Sequence, residues 1–294
     1  MSDAATLSLG DDIQEMADIG IVGGYGFADR IDIDREIDVE TPFGEPTHPV
    51  IIGEMAGRKV AFLSRHGRGR NVPSQSVNFR ANLFALYRVG VRRLVSATAN
   101  GSLRKEIGVG DVAVPTDYID RTKRRVDTFF DDYPPRHFSS MQPFCPSLND
   151  TIESCCDAVG LTGHNEDVTM VNIEGPRFST EAESEMFRQW GADIVGGSTY
   201  PEVTLARELG MCYGNFALIT DYDVGDSIPG IEEEPVTLQM IDDRLAEYNT
   251  QTRDLMEQVI ERMPAERCEH CQGHVDPATS EADPVWEHRR PDMF

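Results

Sequence analysis

The sequence predicts an α/β protein, a single domain built on a central, mixed and largely twisted β-sheet flanked by helices. Short apolar runs of strand length alternate with segments of helical period through most of the chain. Several of those runs end on glycine, hydroxyl or charged residues, as strands do when they deliver groups to a ligand-binding sheet edge. With 294 residues, 39% of them hydrophobic, the chain can bury one substantial core.

Residues 1–18 read as an acidic extension with no basic start, and no apolar run approaches the ~18 residues of a membrane helix. A cytoplasmic protein with neither signal peptide nor membrane span is therefore expected. Residues 19–24 form an apolar strand that opens into Gly23-Gly24-Tyr25-Gly26. Residues 49–54 and 58–64 flank Met55-Ala56-Gly57 as a hairpin. Val77, Leu83, Phe84 and Tyr87 recur at helical spacing over 74–87, and Gly90 closes that helix. Strands follow at 93–98, 111–115 and 168–173, then a helix from about Ser179 to Trp190 and a short strand at 193–195. Pro201, at a first helical position, introduces a helix that reaches Leu209 and stops at Gly210. The apolar run 213–220 reads as a buried strand ending in Asp221-Tyr222-Asp223, and a long amphipathic helix spans 235–263. The domain thus covers 19–263.

Residues 264–294 lose the apolar period and read as a polar, poorly ordered tail. Cys268-x-x-Cys271 with His270 and His274 has the composition of a metal pair, but no second pair sits at ligand spacing, so no metal is expected. The adjacent Cys155 and Cys156 lie in a helical pattern and read as small core residues; six cysteines make no disulfide scaffold.

The net charge of −24 arises with only three lysines, Lys59, Lys105 and Lys123. Carboxylates at this density repel one another at low salt, whereas at 1 M salt the Debye length falls to about 3 Å and the repulsion fades. That pattern suits an extreme halophile's cytoplasm, and DNA or RNA would be a poor partner.

Chemistry concentrates at strand ends. Strand alternation places Asp221 and Asp223 on one side, where two acids can accept from an exocyclic amine and hold a proton beside a ring nitrogen. Arg65-His66-Gly67 follows a strand, and an arginine fork with a histidine donor suits a dianion. Thr98-Ala99-Asn100 and Ser198-Thr199 bring small and hydroxyl groups to further strand ends, and Gly23-Gly24-Tyr25-Gly26 can cradle phosphate through backbone N–H groups. Singly each reads as a loop. Together one set suits phosphate and another a heterocycle.

Val22-Gly23-Gly24-x-Gly26, Arg65-His66-Gly67, Gly101-Ser102-Leu103-Arg104, Glu174-Gly175-Pro176-Arg177-Phe178-Ser179, Thr199-x-Pro201-Glu202 and Thr220-Asp221-Tyr222-Asp223 occur in an order that resembles the trimeric purine nucleoside phosphorylases, nearest the 5′-methylthioadenosine branch. The resemblance implies cleavage of a purine nucleoside by phosphate, with inorganic phosphate as co-substrate and no cofactor. It implies Tyr25, Arg65, His66, Thr98, Ala99 and Ser198 around phosphate. Phe178, Gly197, Thr220, Asp221 and Asp223 would line the nucleoside, with Asp221 and Asp223 as the catalytic acids. His137 would approach the 5′ substituent from a neighbouring subunit of a homotrimer or dimer of trimers. Which acid serves N7 and which the 6-substituent stays open. A carboxylate favours a 6-amino purine, so adenine leads over guanosine, inosine or methylthioinosine chemistry. Tyr25, Gly197 and Asn100 depart from the usual threonine, methionine and cysteine or glycine, which leaves the sugar and 5′ preference open. A nucleoside-sensing module without turnover and a hydrolase using water are the remaining alternatives.

Overall fold

Apolar residues at alternate positions place each inner strand between two cores. The computed structural model describes residues 5–131, 137–225, 228, 230–232 and 234–272. Its strands are β1 (Ala5–Leu7), β2 (Ile19–Gly23), β3 (Asp32–Val39), β4 (Val50–Met55), β5 (Arg58–Ser64), β6 (Arg93–Ser102), β7 (Val112–Ala113), β8 (Asp117–Arg121), β9 (Gly163–His164), β10 (Thr169–Ile173), β11 (Ile194–Gly196) and β12 (Cys212–Asp221). Its helices are α1 (Phe79–Arg88), α2 (Pro146–Cys156), α3 (Glu181–Gln189), α4 (Thr199–Glu208), α5 (Leu238–Glu247), α6 (Asn249–Arg262) and α7 (Glu269–Gln272).

On β2 and β5, Val22, Ala61 and Leu63 join the core under α1 and α4, whereas Ile19, Ile21, Val60 and Phe62 join the core under α2 and α6. The period of two in the strands thus meets two helical layers. Truncating a fully buried anchor such as Phe62 would cost about 3–5 kcal/mol. Strand order is β1-β3-β4-β5-β2-β6-β11-β10-β8, with β12 along the other edge of β6, β7 beside β12 and β9 beside β7. The predicted hairpin is β4–β5, whose turn residues Ala56 and Gly57 both have positive φ, as a tight right-twisting turn requires.

The placement of β6 builds the site. Along one edge, residues 93–96 pair with β2 in parallel, and Gly101 and Ser102 pair with β11 antiparallel. Between them, residues 97–100 have no strand partner on that edge among the described residues. A strand that changes neighbours opens a crevice at the carboxyl ends of the parallel strands, where ligands bind.

Several expectations are corrected. The helix foreseen over 235–263 is two helices, α5 and α6, broken where Tyr248 leaves helical geometry (φ −97°, ψ 11°). β3 and β8 went unforeseen because their sequences, DIDREIDV and DYIDR, are polar and mostly exposed. The acidic extension docks: β1 pairs with β3, and Leu7 and Ala17 are buried. The segment 264–272, foreseen as the start of a solvated tail, carries α7 and buries Cys271. His274 and the rest of the tail lie outside the described residues.

Candidate active site

The crevice beside Thr98 and Ala99 gathers residues from six strand ends. β2, β5, β6 and β12 run parallel and bring Gly23, Ser64-Arg65 and Asp221 to one edge. β11 runs against β6, with Val195 opposite Gly101, so its continuation carries Gly196, Gly197 and Ser198 back along the unpaired stretch of β6. Close packing there demands glycine: a Cβ on Gly196 would land on Asn100 Nδ2, and one on Gly101 would lie 2.7 Å from Asp221 Oδ1. β10, parallel to β11, delivers the Glu174–Phe178 segment on the same side.

Beneath the crevice lies a buried polar network. Arg65 Nε donates to Glu202 Oε1 at 2.5 Å and Nη2 to Glu202 Oε2 at 3.0 Å. Arg65 Nη2 also donates to Ser96 Oγ at 2.6 Å, and Nη1 to the Ala97 carbonyl at 2.9 Å. Sequence reading assigned this guanidinium to a dianion, but the fold commits most of its N–H groups to protein acceptors. Its positive charge remains under the site, neutralised by Glu202. Tyr213 Oη donates to Glu202 at 2.9 Å, and Asn215 Nδ2 reaches Ser96 Oγ at 3.2 Å and Thr98 Oγ1 at 3.3 Å. Thr98 Oγ1 donates to Asn100 Oδ1 at 2.7 Å, and Asn100 Nδ2 to the Val195 carbonyl at 3.1 Å. Ser96, Asn215, Glu202 and Tyr213 were not assigned roles from sequence. The signal was a polar Asn215 inside an otherwise apolar strand, which a buried strand tolerates only when the amide is satisfied.

Groups suited to an anion line the crevice. His66 Nδ1 lies 2.9 Å from the Val72 carbonyl, and since a carbonyl cannot donate, Nδ1 carries the proton. The other ring nitrogen is left for a ligand. Burial, reinforced by Arg65, holds the His66 pKa below the usual imidazole range. Ser198 stands just ahead of α4 with its hydroxyl in no capping hydrogen bond; the regular helix begins at Pro201, after Tyr200 leaves helical geometry (φ −97°, ψ 132°) and gives its N–H to Asn172 Oδ1 at 3.0 Å. Tyr25 packs its ring 5.5 Å from His48, with the Arg68 guanidinium 5.0 Å from its centroid, so it works at least as a wall of the loop.

The two acids meet differently from expectation. β12 ends at Asp221 after a register shift, and Asp223 stands in a turn at φ 54°, so strand alternation does not align them. They are joined by the Asp223 backbone N–H, which donates to Asp221 Oδ1 at 2.8 Å. Thr220 Oγ1 donates to Asp221 Oδ2 at 2.8 Å. A left-handed aspartate costs about 1 kcal/mol or more, and such outliers cluster at functional sites. Both carboxyls are buried. Burial raises the Asp223 pKa; Ser184, Ser179 and Arg188 lie near enough to oppose the rise, though none closes a hydrogen bond to Oδ2. Asp223 Oδ2 and Ser179 Oγ are buried without hydrogen-bond partners among the described residues. A protonatable acid with an unused oxygen is equipped to exchange a proton with a ligand.

Phe178 leads into the capping box of α3, Thr180 with Glu183, and is 39% exposed, a free aromatic face beside Ser179. Arg177 clamps the turn by donating to both Glu183 oxygens at 2.6 Å. Gly197 has room for a side chain, the nearest atom to a Cβ being the Ile173 carbonyl at 3.6 Å. His137 is exposed. Among the described residues no helix is long and apolar enough to cross a membrane.

The chain that carries these groups has relatives among known proteins. Residues 18–261 match the phosphorylase superfamily. The chain is 44% identical over 266 residues to an S-methyl-5′-thioadenosine phosphorylase of Thermofilum pendens, covering 90% of this chain and 99% of that one. It is 43% identical over 256 residues to the enzyme of that name from Thermococcus kodakarensis, covering 87% and 96%. Among solved structures, a methylthioadenosine phosphorylase from an antarctic soil metagenomic library superposes with TM-score 0.81 at 35% identity, over 90% of this chain and 92% of that one. A variant of the adenosine/methylthioadenosine phosphorylase of Schistosoma mansoni with adenine superposes with TM-score 0.78 at 30% identity, over 85% and 93%. The fold therefore has its explanation in descent, and the chain belongs to the phosphorylase superfamily.

Proposed function

We propose that this protein cleaves 5′-methylthioadenosine with inorganic phosphate, releasing adenine and 5-methylthioribose 1-phosphate. The observation that carries the reading is Asp223, a buried acid of raised pKa with an unpartnered oxygen, at the same sheet edge as His66, Thr98, Ala99 and Ser198. Relatives named for this reaction at 44% and 43% identity support the substrate.

The chemistry follows from the groups present. Breaking the C1′–N9 bond gives an oxocarbenium-like transition state, as in glycoside hydrolysis. Phosphate below the sugar stabilises that cation and then forms the new O–C1′ bond, so binding and positioning supply much of the rate. The departing adenine gains electron density, which a proton at N7 neutralises. Asp223 supplies that proton and becomes a carboxylate; Asp221, accepting from Thr220 and the Asp223 N–H, orders the turn and is placed to face the 6-amino group. Phe178 stacks on the purine. Phosphate is the sole co-substrate and no cofactor takes part. His137, exposed here, would reach a neighbour's 5′ pocket in a homotrimer.

The test is incubation in molar potassium chloride with phosphate and each nucleoside, quantifying free base and sugar 1-phosphate. Adenine release from methylthioadenosine below a tenth of guanine or hypoxanthine release from their nucleosides would overturn the substrate. Free sugar without its phosphate would overturn phosphorolysis. Light scattering in the same salt decides the trimer.

A further inference from the structure

Four cysteines that the proposed chemistry does not use converge at the amino end of β12. Cys145 precedes α2, Cys212 opens β12, and Cys268 and Cys271 come from the segment around α7. All four sulfurs lie within 4.8 Å of one another. Cys145 Sγ is 3.4 Å and Cys212 Sγ 3.8 Å from Cys268 Sγ. Cys145, Cys212 and Cys271 are buried, and Cys268 is half-buried.

We infer that Cys145, Cys212, Cys268 and Cys271 form a closed, structural four-thiolate site for Zn2+. Zinc–thiolate bonds of about 2.3 Å in a tetrahedron put the sulfurs about 3.8 Å apart, close to the separations found here. Cys268-x-x-Cys271 has the spacing of a zinc knuckle, and the Cys271 N–H already points at Cys268 Sγ, 3.4 Å away. In sequence only one pair stands at ligand spacing; folding brings the second from Cys145, just before α2, and Cys212, at the start of β12. Disulfides fit less well, because an S–S bond of about 2.05 Å joins sulfurs two by two, whereas Cys268 stands near both Cys145 and Cys212.

The surroundings suit an anionic metal centre. Four thiolates around Zn2+ leave a double negative charge, and Arg207, whose charge acts on Cys271, Cys145 and Cys268, stands beside them. Arg207 also donates to the carbonyls of Ser139, Met141 and Gln142 at 2.7–2.8 Å, which fixes the approach to Cys145. Arg267 Nη1 donates to the Gly210 carbonyl at 2.9 Å and pins the other arm. On binding, each thiol releases its proton to solvent as a sulfur–zinc bond forms, with no change in oxidation state. All four positions are protein sulfur, so the site has no open coordination for catalysis. Cys212 and Asp221 mark opposite ends of β12, about 30 Å apart at strand rise, so the metal staples the 264–272 segment without touching the chemistry.

The test uses the full chain, expressed with zinc in the medium and purified without chelator or metal-affinity resin. Plasma mass spectrometry should find one equivalent of zinc, and replacement by Co2+ should give the sulfur-to-cobalt charge-transfer absorption of a tetrahedral thiolate site. Cys268→Ser with Cys271→Ser should lose the metal and lower Tm by several degrees while nucleoside cleavage at room temperature stays unchanged. Zinc-free protein that takes up no Co2+, or that shows two disulfides by thiol counting after denaturation without reductant, would overturn the site. Full zinc retention by the double variant would do the same, and the wild-type metal content decides even if that variant fails to fold.

Discussion

Arg65 and Glu202 form a sealed ion pair, Nε to Oε1 at 2.5 Å, with side chains only 3% and 1% exposed. The pair ties the end of β5 to the first turn of α4 and, through Ser96 and Ala97, to the unpaired stretch of β6. It therefore sets the distance between the two walls of the crevice. Removing one member of such a pair leaves the other charge buried and uncompensated, a loss of about 3–5 kcal/mol. Glu202→Ala should lower stability by that amount, read from urea unfolding in molar salt. An unchanged midpoint would show that Arg65 finds another partner.

Asp223→Asn keeps the shape of the acid but cannot give up a proton. Positioned acid–base catalysis contributes about 10²–10⁴-fold, so kcat on methylthioadenosine should fall within that range. The pH dependence has a defined sign. Burial raises the Asp223 pKa above the usual ~3.9, so the acid form persists above that value and kcat/KM should decline as pH rises through the raised pKa. Stability from the neutral buried acid is present at low pH and lost over the same interval, because the native state there holds the proton that the unfolded state has released. Asp223→Asn should remove that slope; a wild-type pH–rate profile in the variant would exclude Asp223 as the proton donor.

For His66 the sign is opposite. Its pKa is held down by burial and by Arg65, so below about 6.5 the unfolded chain binds a proton that the native imidazole resists, and stability falls as pH drops. Phosphate bound at the remaining nitrogen needs that nitrogen to donate, which only the imidazolium can do while Nδ1 donates to Val72. The phosphate KM should therefore rise with pH. His66→Ala should raise it about 10- to 100-fold, the equivalent of a hydrogen bond to a charged group, with the nucleoside KM little changed. Equal rises in both constants would count against a phosphate contact.

The net charge of −24 predicts a strong response to salt. Screening shortens the Debye length from about 10 Å at 0.1 M to about 3 Å at 1 M, so Tm should climb steeply over that range in potassium chloride. A flat response would remove the case for adaptation to concentrated salt.

What the sequence made legible, and what it hid, divides along physical lines. Strands 19–23, 58–64 and 212–221 announced themselves because their inner residues are buried on both faces and therefore mostly apolar. β3 hid because most of its exposed positions are charged, Asp32, Asp34, Arg35 and Asp38, and charged residues of that kind occur everywhere in this chain. The acids at 221 and 223 were visible as residue types, but their alliance through a backbone N–H depends on a left-handed turn that no pattern of side chains encodes. Arg65 was visible as a cation, whereas its partner Glu202 lies 137 residues away and was met only as part of a motif. Likewise two of the four clustered cysteines gave no local sign of the others.

Two neighbouring glycines offer a test of the crevice itself. A methyl group on Gly196 would collide with Asn100, whose amide is already committed to the Val195 carbonyl and the Thr98 hydroxyl. The amide cannot retreat without breaking that chain, so Gly196→Ala should cost about 1–3 kcal/mol and weaken activity together with stability. At Gly197 the nearest atom is 3.6 Å from a built Cβ, an ordinary contact, so Gly197→Ala should fold normally. A larger side chain there would enter the space assigned to the sugar: Gly197→Met should discriminate among 5′ substituents while leaving Tm nearly unchanged. Kinetics with adenosine and methylthioadenosine on the two Gly197 variants, beside calorimetry on all three, separates the roles. If Gly197→Met altered neither substrate's KM, the sugar would have to lie elsewhere, and the placement of the crevice between β6 and β11 would be wrong.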